Sequence, residues 1–226
     1  MGTKEIISIA SGRGANELKL TDLGYRVTCT DLGPLPALDA TRRLFSGFTH
    51  LQLDILEAPS VDKYDGVLAL SLIYIFTQDE LMLFFRNAHQ SLRPGGTLIL
   101  DGPGATDNAL TFLIDEVVLK AEAVARMVFK SVTRRRLWKF VTKNHGYRRP
   151  DKDLIDVAND CGFKLVAQGN YDFTAELMRS SIFAQIMRLV PITKVFFRWL
   201  GRSAPYTRMY HFQTTNEGIS NSGSER

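Results

Sequence analysis

Three observations predict a doubly wound α/β fold on a mostly parallel, seven-stranded sheet. Short β-rich runs alternate with amphipathic segments through the first half of the chain, the pattern left by strands buried beneath helices. A glycine-bearing loop, Ala10-Ser11-Gly12-Arg13-Gly14, follows the first apolar run, and an aspartate, Asp31, closes the second. With 226 residues, 45% apolar and 23% charged, the chain suits one domain of the larger kind and is too apolar to remain disordered.

Taken in order, strands are predicted over residues 5–10, 25–31, 48–53, 64–70 and 96–101. The first helix opens at Ala15-Asn16-Glu17-Leu18, and Gly24 closes it, because glycine accepts the left-handed conformation of a helix stop. Residues 78–92 place Leu81, Phe84, Phe85, Ala88 and Leu92 at helical spacing. Arg93-Pro94-Gly95-Gly96 then ends the helix by removing an amide donor and freeing the backbone. Residues 107–143 read as one or two helices, and 151–161 as another that Gly162 terminates. Residues 163–173 and 206–214 are expected to form an antiparallel closing pair.

Between that pair lies an insertion, residues 174–205, with Arg179, Arg188, Lys194, Arg198 and Arg202 against the single acid Glu176. Lys194, Arg198 and Arg202 fall at i, i+4 and i+8, one stripe of a helix, with Val195, Phe196, Phe197, Trp199 and Leu200 on the other faces. The tail, residues 216–226, is mostly Ser, Gly and Asn and is expected to be disordered. The organisation predicted is a single domain over 1–215, with 174–205 as a basic amphipathic lid.

The formal charge of +4 is unevenly spread: residues 126–152 hold ten Lys and Arg against Asp151, a local +9 that leaves −5 elsewhere. Such a block suits an anionic group or surface better than a uniform nucleic-acid coat. Cys29 and Cys161 are far apart without a CxxC pair, which argues against a disulfide framework and for a reducing compartment. The N-terminus shows no signal peptide, and the most apolar stretch, 182–200, is interrupted by Arg188, Pro191, Lys194 and Arg198. A cytoplasmic protein is expected, with the anionic inner face of a membrane as a candidate partner surface; the sequence leaves the oligomeric state open.

Chemistry concentrates where the strands end. In the glycine loop a ligand can approach the backbone and meet the free amides of the following helix. A dinucleotide site wants a small residue at position 17, and Glu17 stands there, which argues against a pyrophosphate ligand and a nicotinamide-dependent oxidoreductase. Asp31 can accept both hydroxyls of a ribose, Asp54 follows the third strand beside the expected adenine position, and Leu70 ends the fourth.

The order of strand, glycine loop, acidic strand end, Asp54-Ile55, Tyr64-Asp65-Gly66-Val67 and Leu92-Arg93-Pro94-Gly95-Gly96 resembles the class I S-adenosylmethionine-dependent methyltransferases over residues 5–101. His145, Arg149-Pro150-Asp151-Lys152-Asp153-Leu154 and Asn159-Asp160-Cys161-Gly162-Phe163 are similar to the ubiquinone-type and cell-envelope-glycan branches. The resemblance implies a Rossmann-like methyltransferase fold that uses S-adenosylmethionine and needs no metal. It implies that Ala10, Gly12 and Gly14 wrap the methionine part, Asp31 the ribose, and Asp54 and Ile55 the adenine, with Leu32 and Leu70 also touching the cofactor. The family's acid before the loop is Ser8 here and its first glycine is Ala10. Asp101 and Asp65 are the acids expected to compensate, and a binding subunit with weak or lost turnover is the alternative these two departures motivate.

Candidate substrate contacts are Tyr74, Asp101, Arg135 and Arg149. Arg134-Arg135-Arg136 offers planar forks for phosphate oxygens. His145 is the candidate general base, since an acceptor hydroxyl must lose its proton and imidazole titrates near neutral pH. His50 and His89 read as surface or helix-face residues. The acceptor expected is a hydroxyl on a small or lipid-linked anionic molecule, such as a glycan precursor or quinone-type phenol, covered by the two basic segments 105–150 and 174–205.

Overall fold

The computed structural model of the protein describes residues 4–12, 14–34, 43, 47–61, 63–103, 119–134, 146–170, 181–203 and 207–215. The chain divides into two compact units: residues 1–102, 152–169 and 209–226 make one, and 103–151 with 170–208 the other. The first is built on seven strands, β1 (Glu5–Ser8), β2 (Arg26–Asp31), β3 (Phe48–Gln52), β4 (Tyr64–Ala69), β5 (Leu92–Pro103), β6 (Phe163–Asn170) and β7 (Thr207–Thr214). Six α-helices are described: α1 (Ala15–Asp22), α2 (Gln78–Ser91), α3 (Leu119–Thr133), α4 (Asp151–Asp160), α5 (Ser181–Leu189) and α6 (Ile192–Ser203).

The strand order is β3-β2-β1-β4-β5-β7-β6, and the pairs from β3 through β5 are parallel. Gln213 and Thr214, at the end of β7, donate to the carbonyls of Gly95 and Gly96 at the start of β5. Strand β7 therefore runs against β5. The Thr215 amide donates to Gly162, just before β6, at 2.8 Å, so β6 and β7 form the antiparallel pair predicted. The order reverses between β1 and β4, where β2 and β3 lie to one side and β5 to the other, and open α/β sheets bind ligands at the carboxyl ends of such a switch.

The core explains why these segments take these forms. Thr77 and Glu80 form a reciprocal capping box at the start of α2, satisfying two orphan amides. Its apolar stripe, Leu81, Phe84, Phe85 and Ala88, is wholly buried. Phe85 meets the rings of Phe84, Phe163 and Phe212 at 5.5, 5.8 and 5.9 Å, which ties α2 to β6 and β7. Each such ring contributes about 1.5–3 kcal/mol by burial. Gly24 and Gly162 have φ of +89° and +82°, the left-handed stops their sequence positions predict.

Among the strand limits that differ from expectation, two have a local cause. Strand β1 ends at Ser8 because Ala10 takes φ +53°, which an extended strand cannot contain. Strand β5 begins at Leu92, directly after α2, and the Arg93-Pro94-Gly95-Gly96 turn is absorbed as a register shift: Tyr64 pairs with Leu92 but Gly66 with Thr97. Gly95, at φ +74°, lets the extra residues loop out of the ladder.

The second unit contributes α3, α5 and α6. The rest of the expected 107–143 helices, the beginning and end of the 174–205 insertion, and the 216–226 tail lie outside the described residues. None of the described helices is long and apolar enough to cross a membrane.

Candidate functional site

At the carboxyl end of β1 the backbone turns sharply into α1. Ala10, Gly12 and Gly14 have φ of +53°, +56° and +69°. The turn is pinned to β2 by the Ser11 amide donating to Thr30 at 2.9 Å and the Thr30 hydroxyl to Ser8 at 3.0 Å. A Cβ placed on Gly12 would meet nothing within 4 Å, so the space over this backbone is open. Gly14 ends the turn as the N-cap of α1, and among the described residues no side chain caps that helix. Its first amides are thus left for a ligand.

The described residues contain two non-glycine positions with positive φ, Ala10 and Ser71. They follow the carboxyl ends of adjacent strands, β1 and β4. Left-handed backbone costs an L-residue about 1–2 kcal/mol, and such strain gathers at functional sites.

Asp31, at the end of β2, accepts the Gly12 amide at 3.2 Å and the Leu32 amide at 2.8 Å. It holds the loop in place and, with four acceptor positions on its two oxygens, keeps capacity for two more donors. Leu32 beside it is exposed. Asp54 accepts the Leu56 amide at 2.9 Å and so caps the turn after β3. The Ile55 side chain belongs to the core, and its carbonyl accepts from Asn87 at 2.7 Å. Leu70 follows β4 half-buried, and Tyr74 lies in the short helical turn Ile73–Ile75 that comes next.

The carboxylate hydrogen-bonded to Ser8 is neither of the two expected. Asp65 stands at the opposite, amino edge, where it pairs with Arg93 at 2.9 Å. Asp101, buried at the end of β5, accepts the Ser71 amide and thereby ties β5 to the strained end of β4. Glu17, by contrast, turns inward from the first turn of α1 and accepts a 2.6 Å hydrogen bond from the Ser8 hydroxyl. Ser8 and Glu17 are 2% and 4% exposed.

Nothing in the spacing of Glu17 marks it as buried, since an acid in a first helical turn is ordinarily solvated and favoured by the helix dipole. The available signal was the hydroxyl at Ser8 where an acid is expected. Cys29, the register partner of Ser8, reports the same environment: burial foremost, with the nearby Glu17 charge adding, pushes its thiol up to about 12 against an opposing hydrogen bond from Ser11. Cys29 is therefore an unreactive thiol packed beneath the site.

In the second unit Arg149 lies over the Tyr147 ring, 5.3 Å from its centre, and burial pulls its guanidinium below the ordinary value, partly opposed by Tyr147. Arg135 and His145 lie outside the described residues. His89, expected on a surface, is half-buried and edge-on to Phe163 at 5.4 Å, and burial foremost, then Lys63, holds its imidazole below the usual range.

Residues 6–96 match the family described as "Methyltransferase domain". The fold is similar to that of a SAM-dependent methyltransferase from Methanosarcina mazei, with a TM-score of 0.60 and 13% identity over 96% of this chain and 95% of that one. It is also similar to magnesium protoporphyrin IX methyltransferase from Synechocystis with bound SAH, at TM-score 0.57 and 15% identity over 94% and 75%. A third likeness is to the Burkholderia thailandensis 1,6-didemethyltoxoflavin-N1-methyltransferase bound to its substrate and S-adenosylhomocysteine, at 0.60 and 12% over 95% and 72%. At these identities the likeness is one of fold. No curated protein matches the chain in sequence.

Proposed function

We propose, from the match of residues 6–96 to a methyltransferase domain, that the chain is an S-adenosylmethionine-dependent methyltransferase acting on a hydroxyl of a small or lipid-linked anionic molecule, such as a glycan precursor or quinone-type phenol. One observation carries the cofactor half of this reading: the carboxyl edge of β1 and β2 holds polar groups that the protein itself only partly pairs. Among the described residues the Glu17 carboxylate receives a single hydrogen bond and no ion pair, although it is buried. Burying a carboxylate on those terms costs several kcal/mol unless a cation joins it.

S-adenosylmethionine, when bound, supplies a sulfonium methyl together with an ammonium, a carboxylate and a ribose diol. The residues fit those groups. The open backbone at Gly12 and the uncapped amides of α1 suit the carboxylate, Glu17 with Ser8 suits the ammonium, and the acceptor capacity left on Asp31 suits the diol. Strain at Ala10 and Ser71, held by the bonds from Ser11 to Thr30 and from Ser71 to Asp101, fixes the edge before anything binds. Most of the rate would then come from alignment, with a base adding modestly.

The acceptor half rests on charge. The unit formed by 103–151 and 170–208 contains 16 Lys and Arg against 7 Asp and Glu, a net +9, so the other unit carries −5. A cationic unit in the same chain favours an anionic acceptor. We assign His145 the role of taking the acceptor's proton, Arg135 and Arg149 that of holding phosphate oxygens, and Tyr74 and Asp101 further substrate contacts.

The test is S-adenosylhomocysteine release when phosphate-linked sugars, lipid-linked sugars and neutral phenols are offered. Turnover on an anionic hydroxyl compound supports the reading, and turnover confined to neutral acceptors contradicts it. His145→Ala should slow turnover about 10²-fold with cofactor affinity unchanged; a retained rate would remove His145 from that role.

A further inference from the structure

The apolar face of α6, expected within a lid, is turned to solvent. Ile192, Val195, Phe196 and Trp199 fall at i, i+3, i+4 and i+7, a single stripe, and each is between 54 and 75% exposed. The end of α5 and the turn after it continue the surface with Ile186, Leu189 and Val190, Leu189 being 82% exposed. The helix pair has an inner side elsewhere: Met187 of α5 is fully buried, and Thr193 and Phe197 of α6 are half-buried. The stripe is therefore an outward apolar face, which isolated soluble proteins seldom leave contiguous.

Charge says what covers it. Residues 181–203 contain Arg188, Lys194, Arg198 and Arg202 and no acid. At 100° per residue, Lys194 and Arg198 fall 40° apart on the flank of the apolar stripe. A second copy docked symmetrically would bring the same basic flank against itself, and like charges facing each other oppose that interface. An anionic bilayer meets stripe and flank at once, with acyl chains for Ile192, Val195 and Phe196, lipid phosphates for the cations, and the headgroup boundary for Trp199.

We infer that the α5–α6 pair is an interfacial docking surface for an anionic lipid bilayer. With twelve residues, α6 is too short to span and lies in the plane of the interface. The inference does not depend on methyl transfer, because binding to vesicles is read without turnover.

The experiment uses the full chain carrying Trp138→Phe, which leaves Trp199 as the remaining indole. It is sedimented with vesicles of phosphatidylcholine mixed with phosphatidylglycerol, and with phosphatidylcholine alone, while indole emission is recorded. Binding to the mixed vesicles, a blue shift of Trp199 and release by salt are expected. Each cation near an anionic surface strengthens binding about fivefold, so K194E/R198E should weaken it about 25-fold or more. F196S/W199S should weaken binding too, and Phe196→Ser alone should reduce the blue shift; all these positions are exposed, so circular dichroism should not change. Failure to bind the mixed vesicles, equal binding to both compositions, or full binding by K194E/R198E would overturn the inference. So would a concentration-dependent burial of Trp199 without lipid, which would make a second copy the occupant.

Discussion

At the amino edge of the sheet Arg93 stands between Glu5 and Asp65, the Glu5 amide donates to Asp65 at 2.8 Å, Arg26 approaches Glu5 at 3.6 Å, and Lys63 donates to the carbonyl of Gln90. A groove lined by Glu5, Arg26, Thr28, Lys63, Tyr64 and Arg93 runs there, yet its charges are answered within the protein. At the carboxyl edge of the same strands the reverse holds. Ala10 and Ser71 are strained, α1 is uncapped, and Glu17 is buried with a hydroxyl as its sole described partner. Charge density alone does not mark a site. Polar groups that the fold positions and leaves incompletely paired do, because the free energy they lack is what a ligand returns.

The comparison breaks most visibly at Asp31. Asp31→Ala should weaken S-adenosylmethionine binding by about 1–3 kcal/mol, measured by calorimetry; unchanged affinity would make Asp31 a purely structural cap. Next comes Glu17→Gln, which keeps the acceptor for Ser8 and removes the charge. Affinity for S-adenosylmethionine should fall about tenfold, while affinity for 5′-methylthioadenosine, which lacks the ammonium, stays the same. An equal loss for both would show that Glu17 shapes the loop without meeting the ammonium.

The pH dependence of stability should belong to the amino side. His89 Nε2 is buried without a hydrogen-bond partner and its folded pKa lies below 6.5, so the unfolded chain binds the proton more readily. Stability is then fully present above about pH 7 and falls as pH drops through 6.5 toward the folded value. Asp65 is held below its ordinary 3.8, chiefly by the Glu5 amide and then by Arg93; its contribution is present above about pH 4 and lost as pH falls through the folded value. Urea midpoints across this range should show both slopes, with His89→Gln flattening the first and Asp65→Asn the second. The smallest effect expected is at Ala10. Ala10→Gly relieves the left-handed strain but adds chain entropy, and should raise stability by no more than about 1 kcal/mol without lowering cofactor affinity.

Local chemistry was legible in the sequence. Gly24 and Gly162 stop helices where they should, the apolar stripe of α2 is buried as its spacing requires, and the loop from Ala10 to Gly14 turns at the end of β1. Relations across the fold were not. The start of β5 at Leu92 depends on pairing with Tyr64 across the ladder, which a proline and two glycines conceal. Glu17 reads as a solvated acid until α1 is laid against β1 and β2 and its side chain is found at Ser8. The outward face of α6 reads as part of a lid because periodicity gives the direction of a stripe relative to its own helix, not what stands opposite.

The most direct measurement is calorimetric titration of the wild-type protein with S-adenosylmethionine and S-adenosylhomocysteine, with a nicotinamide dinucleotide as control. Micromolar binding of the first two and none of the third is expected if the incompletely paired carboxyl edge is a cofactor site. Absence of binding to either sulfur nucleoside would contradict it and leave the Ser8 and Glu17 pair as a feature of packing alone.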